Sequence, residues 1–352
     1  MINLENAKLV CLMPTYNKQD TLPKAIESVI MQKADFAYKL VILDDCSTDD
    51  SFAIAQKYQA KFPDKIEIVR NETNLKLLKS ITNGYSLLKG VDYFCVLDAD
   101  DWYIYDKKFA DAVEFLEAHK DFSVYMANII LLQNGVEMPY CKVKKDIIDF
   151  DWDDYKNGKG VFIQTSGVIY RNMYFKDGMN EKFLKSTQED YGQALRSDGF
   201  RVPWHLKIGK AHFKNHYESV YNYNNNGLWT GKTEFEKKLI SAQLCVALSI
   251  YLPNESNFYL KQAKKDYDKA VEGLKNSDKR YIADNKDLIF SIYSKTYLTD
   301  NPIFRNKSYA IKSFFQNIFS IKNSPNEHCK IATLFGCKFH FKRGVLKCKS
   351  QS

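Results

Sequence analysis

From residue 9 to residue 132, short apolar runs alternate with longer segments whose apolar residues recur every three or four positions. The runs Leu9-Val-Cys-Leu-Met13, Lys39-Leu-Val-Ile-Leu43, Ile66-Glu-Ile-Val69, Tyr93-Phe-Cys-Val-Leu97 and 123–132 predict strands. Between the first two, Leu22, Ala25, Ile26, Val29 and Ile30 mark one face of a helix over 21–32. Further helices are predicted over 49–60, 75–88 and 106–119, the first with Ser47 or Thr48 as its cap. Nearly continuous apolar strands that alternate with helices imply an α/β fold with a parallel, doubly wound sheet. The pattern over 134–230 is irregular and aromatic, with a strand-like run over 161–170 and a helix-like segment over 188–197. After Lys232, Phe235, Leu239, Ile240, Leu244, Leu248 and Tyr251 return to helical spacing, and two more helices are expected before Asp300.

Ligands of such sheets bind beyond the carboxyl ends of the strands. Three polar clusters fall there: Pro14-Thr-Tyr-Asn17, Asp44-Asp45 and Asp98-Ala-Asp-Asp101. The three carboxylates of the last cluster repel one another unless a cation is present. If the chain stays extended, alternation puts Asp98 and Asp100 on one side, and oxygen donors suit Mg²⁺ or Mn²⁺. The plain alternative is a polar turn before the helix near Asp106. At Asp44-Asp45 a carboxylate can accept from a base N–H or a ribose hydroxyl, with helix capping as the alternative. Neither a G-x-G-x-x-G nor a G-x-x-x-x-G-K-[ST] loop occurs. That excludes a dinucleotide oxidoreductase and a P-loop enzyme. A metal held by carboxylates is then the substitute for a glycine cradle around phosphate.

Composition narrows this picture. With 352 residues, 45% hydrophobic and 27% charged, the chain is neither disordered nor a disulfide-stapled mini-protein. The net charge of +8 is uneven. Residues 301–352 hold ten Lys and Arg against the single acid Glu327, which leaves a near-neutral body. This argues against a general nucleic-acid binder and gives the tail a partner of its own. The N-terminus has no signal-like apolar run, and no stretch of about 18 apolar residues predicts a spanning helix. The eight cysteines form no C-x-x-C pair and read as reduced, small hydrophobes of a cytosolic protein rather than zinc ligands.

Taken in order, Pro14-Thr-Tyr-Asn17, Ala25-Ile-x-Ser28-Val-x-x-Gln32, Asp44-Asp45-x-Ser47-Thr48-Asp49 and Leu97-Asp-Ala-Asp-Asp101 resemble family 2 glycosyltransferases of the GT-A fold. The match covers about the first 130 residues. The resemblance implies a nucleotide-sugar donor, commonly a UDP-sugar, and inversion at the anomeric carbon. It implies that Pro14, Thr15, Tyr16 and Asn17 border the nucleotide and that Asp45 contacts the base. Asp98 and Ala99 would lie at the ribose and metal, with Asp100 as the main metal ligand. The segment 74–84 lines up with the family's N-x-G-x-x-x-A-R-N-x-G pattern, but Lys76 replaces its first glycine and Ile81 its arginine. Lys76 or Lys79 then supplies positive charge to the donor.

Thr187-Gln-Glu-Asp190-Tyr191 resembles the family's Glu-Asp motif at a helix start. An acceptor hydroxyl needs a carboxylate to take its proton, so Asp190 is assigned as base and Glu189 as its acceptor-orienting partner. The alternative is acids favouring a helix N-terminus. His216 is a candidate to complete the metal shell, and Tyr223 and Trp229 are candidates to stack on sugars. No processive Q-x-x-R-W motif follows.

In the tail, Phe314, Phe315, Ile318, Phe319 and Ile321, then Ile331-Ala-Thr-Leu-Phe335 and Phe339-His-Phe341, interleave with lysines. Such a pattern fits nucleic acid or an anionic membrane face, and the lipid-linked acceptors implied by the resemblance favour the membrane. The tail also resembles those of bacterial capsule and lipooligosaccharide glycosyltransferases. The expected organisation is a GT-A domain over 1–232, with a nucleotide-sugar half over 1–132 and an acceptor half over 133–232. A helical region over 233–300 and a basic aromatic tail over 301–352 follow. The expected activity is metal-dependent transfer from a UDP-sugar to a bacterial surface glycan or lipid-linked acceptor, in the cytoplasm or on the inner membrane face. A sugar nucleotidyltransferase and a non-catalytic sugar- or lipid-binding scaffold are the alternatives.

Overall fold

The computed structural model describes residues 2–223, 229–273, 279–297 and three strands within 320–342. The five apolar runs form β1 (Leu9–Thr15), β2 (Tyr38–Asp44), β3 (Ile66–Arg70), β4 (Tyr93–Val96) and β6 (Phe122–Gln133). A two-residue β5 (Trp102–Tyr103) precedes β6. The amphipathic segments form α1 (Leu22–Ile30), α2 (Ser51–Lys61), α3 (Lys76–Ser86) and α4 (Lys108–Ala118). The face predicted for α1 is the one it buries: Leu22, Ala25, Ile26 and Val29 are fully enclosed. Each large aliphatic side chain so removed from water contributes roughly 1.5–3 kcal/mol. They pack on Leu9, Cys11 and Met13 of β1 and Leu40 and Ile42 of β2 within one core.

The sheet runs β3-β2-β1-β4-β9-β6-β10-β5, with β9 (Val168–Arg171) and β10 (Lys210–Tyr223). Neighbours β3, β2, β1 and β4 are parallel, as are β6 and β10. β9 is antiparallel to both β4 and β6. β7 (Val136–Pro139) hangs on β6 and β8 (Ile147–Phe150) on β10. The sheet is therefore mainly parallel, with its parallel strands carrying the predicted clusters at their carboxyl ends.

The middle region departs from its sequence pattern. Of the strand-like run over 161–170, the ladder begins only at Val168, because Thr165–Gly167 close a 3-10 turn capped by the Gln164 side chain. Gly167 is needed there: a Cβ would stand 2.2 Å from Ile163 Cγ2 and 2.8 Å from the Ala127 carbonyl oxygen. Of the helix-like 188–197, only Gly192–Arg196 coil, as a 3-10 turn. Short helices α5 (Trp152–Lys156), α6 (Glu181–Ser186) and α7 (Asp198–Leu206) complete the region.

The chain divides into two compact units, Met1–Lys232 with Ala247–Asn254, and Thr233–Val246 with Glu255–Ser352. The second contains most of α8 (Glu234–Tyr251), with α9 (Ser256–Glu272), α10 (Lys279–Asp284) and α11 (Lys286–Tyr297). Its core joins Phe235, Leu239 and Ala242 to Tyr267, Ala270, Ile282, Ile289 and Ile292. It also contains an antiparallel meander of β11 (Ser320–Asn323), β12 (Cys329–Leu334) and β13 (Cys337–Lys342). The apolar cluster at Phe314, Phe315, Ile318 and Phe319 lies outside the described residues. Among the described residues, no helix is long and apolar enough to cross a membrane.

Candidate active site

The ends of β1 and β2 are tied to each other. The Asp45 N–H donates to the Thr15 carbonyl at 2.9 Å. Asn17 turns at φ 51°, so that its N–H reaches Ser47 Oγ at 3.1 Å and its Oδ1 accepts from the Thr48 N–H at 2.9 Å. The Lys18 N–H meets Ser51 Oγ at 2.7 Å. Within this zipped pair of loops Thr15 is buried, its hydroxyl donating to the Met13 carbonyl, while Tyr16 is exposed.

The two aspartates at the end of β2 divide their work. Asp44 is buried, and its Oδ2 accepts from the Ser47 N–H and pairs with Arg70. Asp44 thus closes the turn after β2 and does not cap α2, which begins at Ser51 with Asp50, rather than Ser47 or Thr48, at its N-cap position. Asp45 Oδ1 accepts from Asn71 Nδ2 and from the Leu75 N–H, each at 2.8 Å. Asp45 thereby holds the loop that leads into α3 against the strand end.

Lys76, the first residue of α3, is exposed and has φ 68°, a left-handed conformation. A non-glycine residue there costs about 1–2 kcal/mol, which explains why the family's pattern has glycine at this position. Lys76→Gly is therefore expected to raise stability by up to about 1 kcal/mol, read by urea unfolding. Ile81, at the position of the family's arginine, is buried. Gly84 sits where a Cβ would be 2.6 Å from Leu43 Cδ1, so α3 lies close on β1 and β2.

The Asp98–Asp101 segment is a tight turn rather than an extended strand, closed by the Asp101 N–H to the Asp98 carbonyl at 2.9 Å. Ala99 is buried and its carbonyl accepts the Thr21 hydroxyl at 2.9 Å. Asp100 Oδ2 pairs with Lys18 Nζ at 2.5 Å. Burial first, and then the Asp100 charge, push the Asp98 carboxyl up to about 6, against the pull of Arg201 and Lys18. Asp101 is buried and held well above the usual carboxylate range by burial and by Asp98 and Asp100. Its Oδ1 accepts the Asn222 N–H at 3.0 Å, which fastens the end of β10 to this turn.

Negative charge is thus crowded at Asp98 and Asp100, which a cation would relieve. No group of three or more candidate ligands occurs among the described residues. Mg²⁺ and Mn²⁺ sites commonly take one or two carboxylates and fill the rest with phosphate oxygens and water, so the donor set Asp98 and Asp100 fits such an ion. His216 is not brought to them. Its ring meets Tyr105 edge-on at 4.7 Å and its Nδ1 lies 3.5 Å from Glu218 Oε1. The adjacent Tyr217 pairs with Asn128, and Asn222 with Leu132. Four residues of β6, about 13 Å at the strand rise, separate those two levels. A polar, bulged strand gave no way to know which of its residues reached the turn.

Glu189 and Asp190 lie exposed in the turn between α6 and the 3-10 segment Gly192–Arg196. A groove of about 270 Å³ runs beside this turn, lined by Leu75, Lys79 and Asn83 on one side and Leu184, Thr187 and Gln188 on the other. Lys79 therefore borders the segment bearing Glu189 and Asp190, and Leu75, which Asp45 holds, borders the same groove. Gly192 sets the turn, since a Cβ there would press on the Thr187 and Ser186 carbonyl oxygens at 2.7 and 2.8 Å. Gly192→Ala is expected to displace Thr187–Asp190 and lower turnover about tenfold or more while thermal stability falls by only about 1–3 kcal/mol. Parallel kinetic and melting measurements check this.

Sequence reasoning missed Arg196 and Arg201. Arg201 is buried, donating to Tyr85 Oη of α3 at 3.1 Å and to Thr165 Oγ1 at 3.2 Å. Burial lowers the Arg196 guanidinium while the Asp98 charge raises it. The two arginines link the Asp98 turn electrostatically to the segment that follows Glu189 and Asp190. The signal was two arginines and Asp198 within six residues, in a stretch that also holds the large apolar side chains Leu195, Phe200, Val202 and Trp204. Tyr223 ends β10 with its ring 6.1 Å from Tyr221, and Trp229 is exposed. The intervening residues 224–228 lie outside the described residues.

A mainly parallel sheet with acidic clusters at the ends of its central strands defines the GT-A class of fold. The staphylococcal TarS 1–349 structure in complex with UDP-GlcNAc superposes with a TM-score of 0.53, at 14% identity over 95% of this chain and 99% of that one. The family described as glycosyl transferase family 2 matches residues 10–193, more than half of the chain. The chain belongs to that family.

Among curated relatives, it is 34% identical over 117 residues to EpsE of Bacillus subtilis strain 168, covering 33% of this chain and 41% of that protein. It is 32% identical over 124 residues to the dTDP-rhamnosyl transferase RfbG of Shigella flexneri, covering 34% and 41%. It is 26% identical over 186 residues to the poly(ribitol-phosphate) beta-N-acetylglucosaminyltransferase TarS of Staphylococcus aureus strain Mu50, covering 48% and 28%. The chain thus aligns with less than half the length of each of these relatives.

Proposed function

We propose that this chain is an inverting, metal-dependent glycosyltransferase that moves a sugar from a UDP-sugar to a hydroxyl of a bacterial surface glycan or lipid-linked acceptor. The observation that carries this reading is the meeting of three elements at one end of the sheet. Asp45 holds the entry to α3, Asp98 and Asp100 share one turn, and the Glu189–Asp190 turn borders the α3 groove. The relatives' names support a nucleotide-sugar donor: one is a dTDP-rhamnosyl transferase, and the TarS structure holds UDP-GlcNAc.

In this reading Pro14–Asn17 and Asp45 border the nucleotide, with Lys76 and Lys79 adding positive charge near the donor. Asp98 and Asp100 would hold the divalent cation, which when bound neutralises the donor diphosphate as a Lewis acid. Lys18, already on Asp100, keeps that carboxylate oriented. Asp190 accepts the acceptor proton as the new C–O bond forms, and Glu189 orients the acceptor. A single displacement with the base on the acceptor side inverts the anomeric centre. Residues 1–132 form the donor half and 133–232 the acceptor half, followed by the helical region 233–300. The basic tail 301–352 associates with anionic membrane, placing the enzyme at the inner face.

The test is UDP release from a panel of UDP-sugars with Mn²⁺ and a glycolipid acceptor. Turnover and metal dependence should both fall in Asp100→Ala. Equal turnover in wild type and variant would remove the metal assignment, and pyrophosphate release in place of UDP would remove glycosyl transfer.

A further inference from the structure

Asn128 is fully buried in the middle of β6, between the apolar residues Ala127 and Ile129. A buried amide costs free energy unless it is hydrogen-bonded, and both ends of this one are. Its Nδ2 donates to the Cys141 carbonyl at 2.8 Å and to Asn215 Oδ1 at 2.7 Å. Its Oδ1 accepts the Ile129 N–H at 2.9 Å and the Cys141 N–H at 3.2 Å. One side chain therefore fixes the chain just after Tyr140 and the β10 bulge that leads into Tyr217–Tyr223. The Tyr140 N–H adds a bond to the Ile129 carbonyl at 3.0 Å. So held, Tyr140 and Tyr221 meet edge to face, with ring centroids 6.3 Å apart and planes at 73°.

This aromatic corner stands at the carboxylate turn. Asn222, the residue after Tyr221, donates its N–H to Asp101 Oδ1 at 3.0 Å. Burial first, and then the charges of Asp101 and Asp98, hold the Tyr221 phenol above its ordinary range, so it stays a donor. Both rings are half-buried. Among the described residues, neither hydroxyl has a hydrogen-bond partner. Tyr103 and Tyr125, which serve the core, show the opposite: they are enclosed, and their hydroxyls meet Cys95 and Glu218.

Two rings set nearly at right angles, each ending in an unmet hydroxyl, suit a ligand ring that is apolar on its faces and hydroxylated around its edge. A pyranose has that form. A nucleobase would also stack, but the sheet order sets it apart. Asp45, assigned to the base, follows β2, and β10 stands five strands further along, in the order β2-β1-β4-β9-β6-β10. That is about 24 Å at the usual strand spacing.

We propose that Tyr140 and Tyr221 form a subsite for a pyranose ring beside the Asp98–Asp101 turn. The proposal rests on the glycosyl-transfer reading of this site and names where a sugar sits. The ring comes from the donor or from the acceptor, and the test separates the two.

The test is saturation-transfer NMR on the full chain with UDP and Mn²⁺. Aromatic protons are irradiated, and the probes are methyl β-glucopyranoside, methyl β-galactopyranoside and methyl α-mannopyranoside. At least one glycoside should receive saturation on its ring C–H protons. Tyr140→Leu/Tyr221→Leu should weaken its binding roughly tenfold or more, and Tyr221→Phe, which keeps the ring, about two- to tenfold. The UDP Kd should be unchanged in both. Exchanging UDP for the UDP-sugars of the release panel then identifies the source. Displacement of the glycoside assigns the subsite to the donor's sugar, and retention assigns it to the acceptor's. No saturation in wild type, or equal binding by wild type and the double variant, would overturn the subsite. A parallel loss of UDP affinity would make the rings nucleotide contacts and overturn it as well. If the double variant fails to fold, Tyr221→Phe carries the test, and glycoside binding equal to wild type would overturn the proposal. Wild-type protein that binds a glycoside but releases no UDP from any UDP-sugar would remove the transferase reading and leave the subsite standing.

Discussion

Asp190→Asn is expected to reduce sugar transfer by roughly 10²–10⁴-fold, the usual contribution of a positioned general base, while the donor still binds. The physical case rests on where the residue sits. Asp190 is exposed in the turn before Gly192, so an isosteric amide there takes away no packing. What the amide removes is the capacity to accept a proton from the acceptor hydroxyl. The donor contacts assigned to Asp45 and to Asp98 and Asp100 lie on other segments, just beyond β2 and β4, and are not altered by the substitution. The expected signature is therefore a fall in kcat with little change in the donor Kd, measured by UDP release and by calorimetric titration with UDP and Mn²⁺. A parallel fall in donor affinity would mark Asp190 as a binding residue. Full transfer in the variant would move the base elsewhere, with Glu189 the neighbouring carboxylate to examine.

The donor half of this fold was readable from sequence because its strands are buried on both faces. Leu9–Met13 and Leu40–Leu43 are apolar at every position and inaccessible to solvent, so periodicity and burial say the same thing. The polar residues that break those runs then stand at strand ends by default. The acceptor half was less readable, for reasons visible in particular elements. β10 is the longest strand of the sheet but has a polar, non-alternating sequence, and its pairing with β6 shifts register between Lys214 and Ser219. α7 contains Pro203, which sequence rules place at helix ends, yet the helix runs from Asp198 to Leu206. For the Asp98–Asp101 segment the sequence leaves an extended end and a polar turn both open, since the two share the same residue types, and the structure has the turn. Asp44 and Asp45 are chemically identical neighbours, and only the fold decides which is used internally.

A second large effect is expected at a buried ion pair that has no proposed substrate contact of its own. Lys108 and Glu218 are both fully buried, and their Nζ and Oε2 atoms are 3.1 Å apart. Tyr125 Oη donates to Glu218 Oε1 at 3.1 Å, and Lys108 Nζ also lies 3.4 Å from the Gly167 carbonyl. The pair joins α4 to β10, the strand whose Asn222 N–H fastens the Asp98–Asp101 turn through Asp101. Removing one partner of a buried pair strands the other charge in a low-dielectric interior, which costs about 3–5 kcal/mol. Lys108→Met should therefore lower unfolding free energy by that amount, read from urea denaturation. The lysine itself is not irreplaceable in this argument, because the penalty comes from the orphaned carboxylate. Lys108→Met combined with Glu218→Leu replaces both charges with apolar groups and should recover most of the loss. Strictly additive losses would show that the two side chains matter for their packing and not for each other's charge.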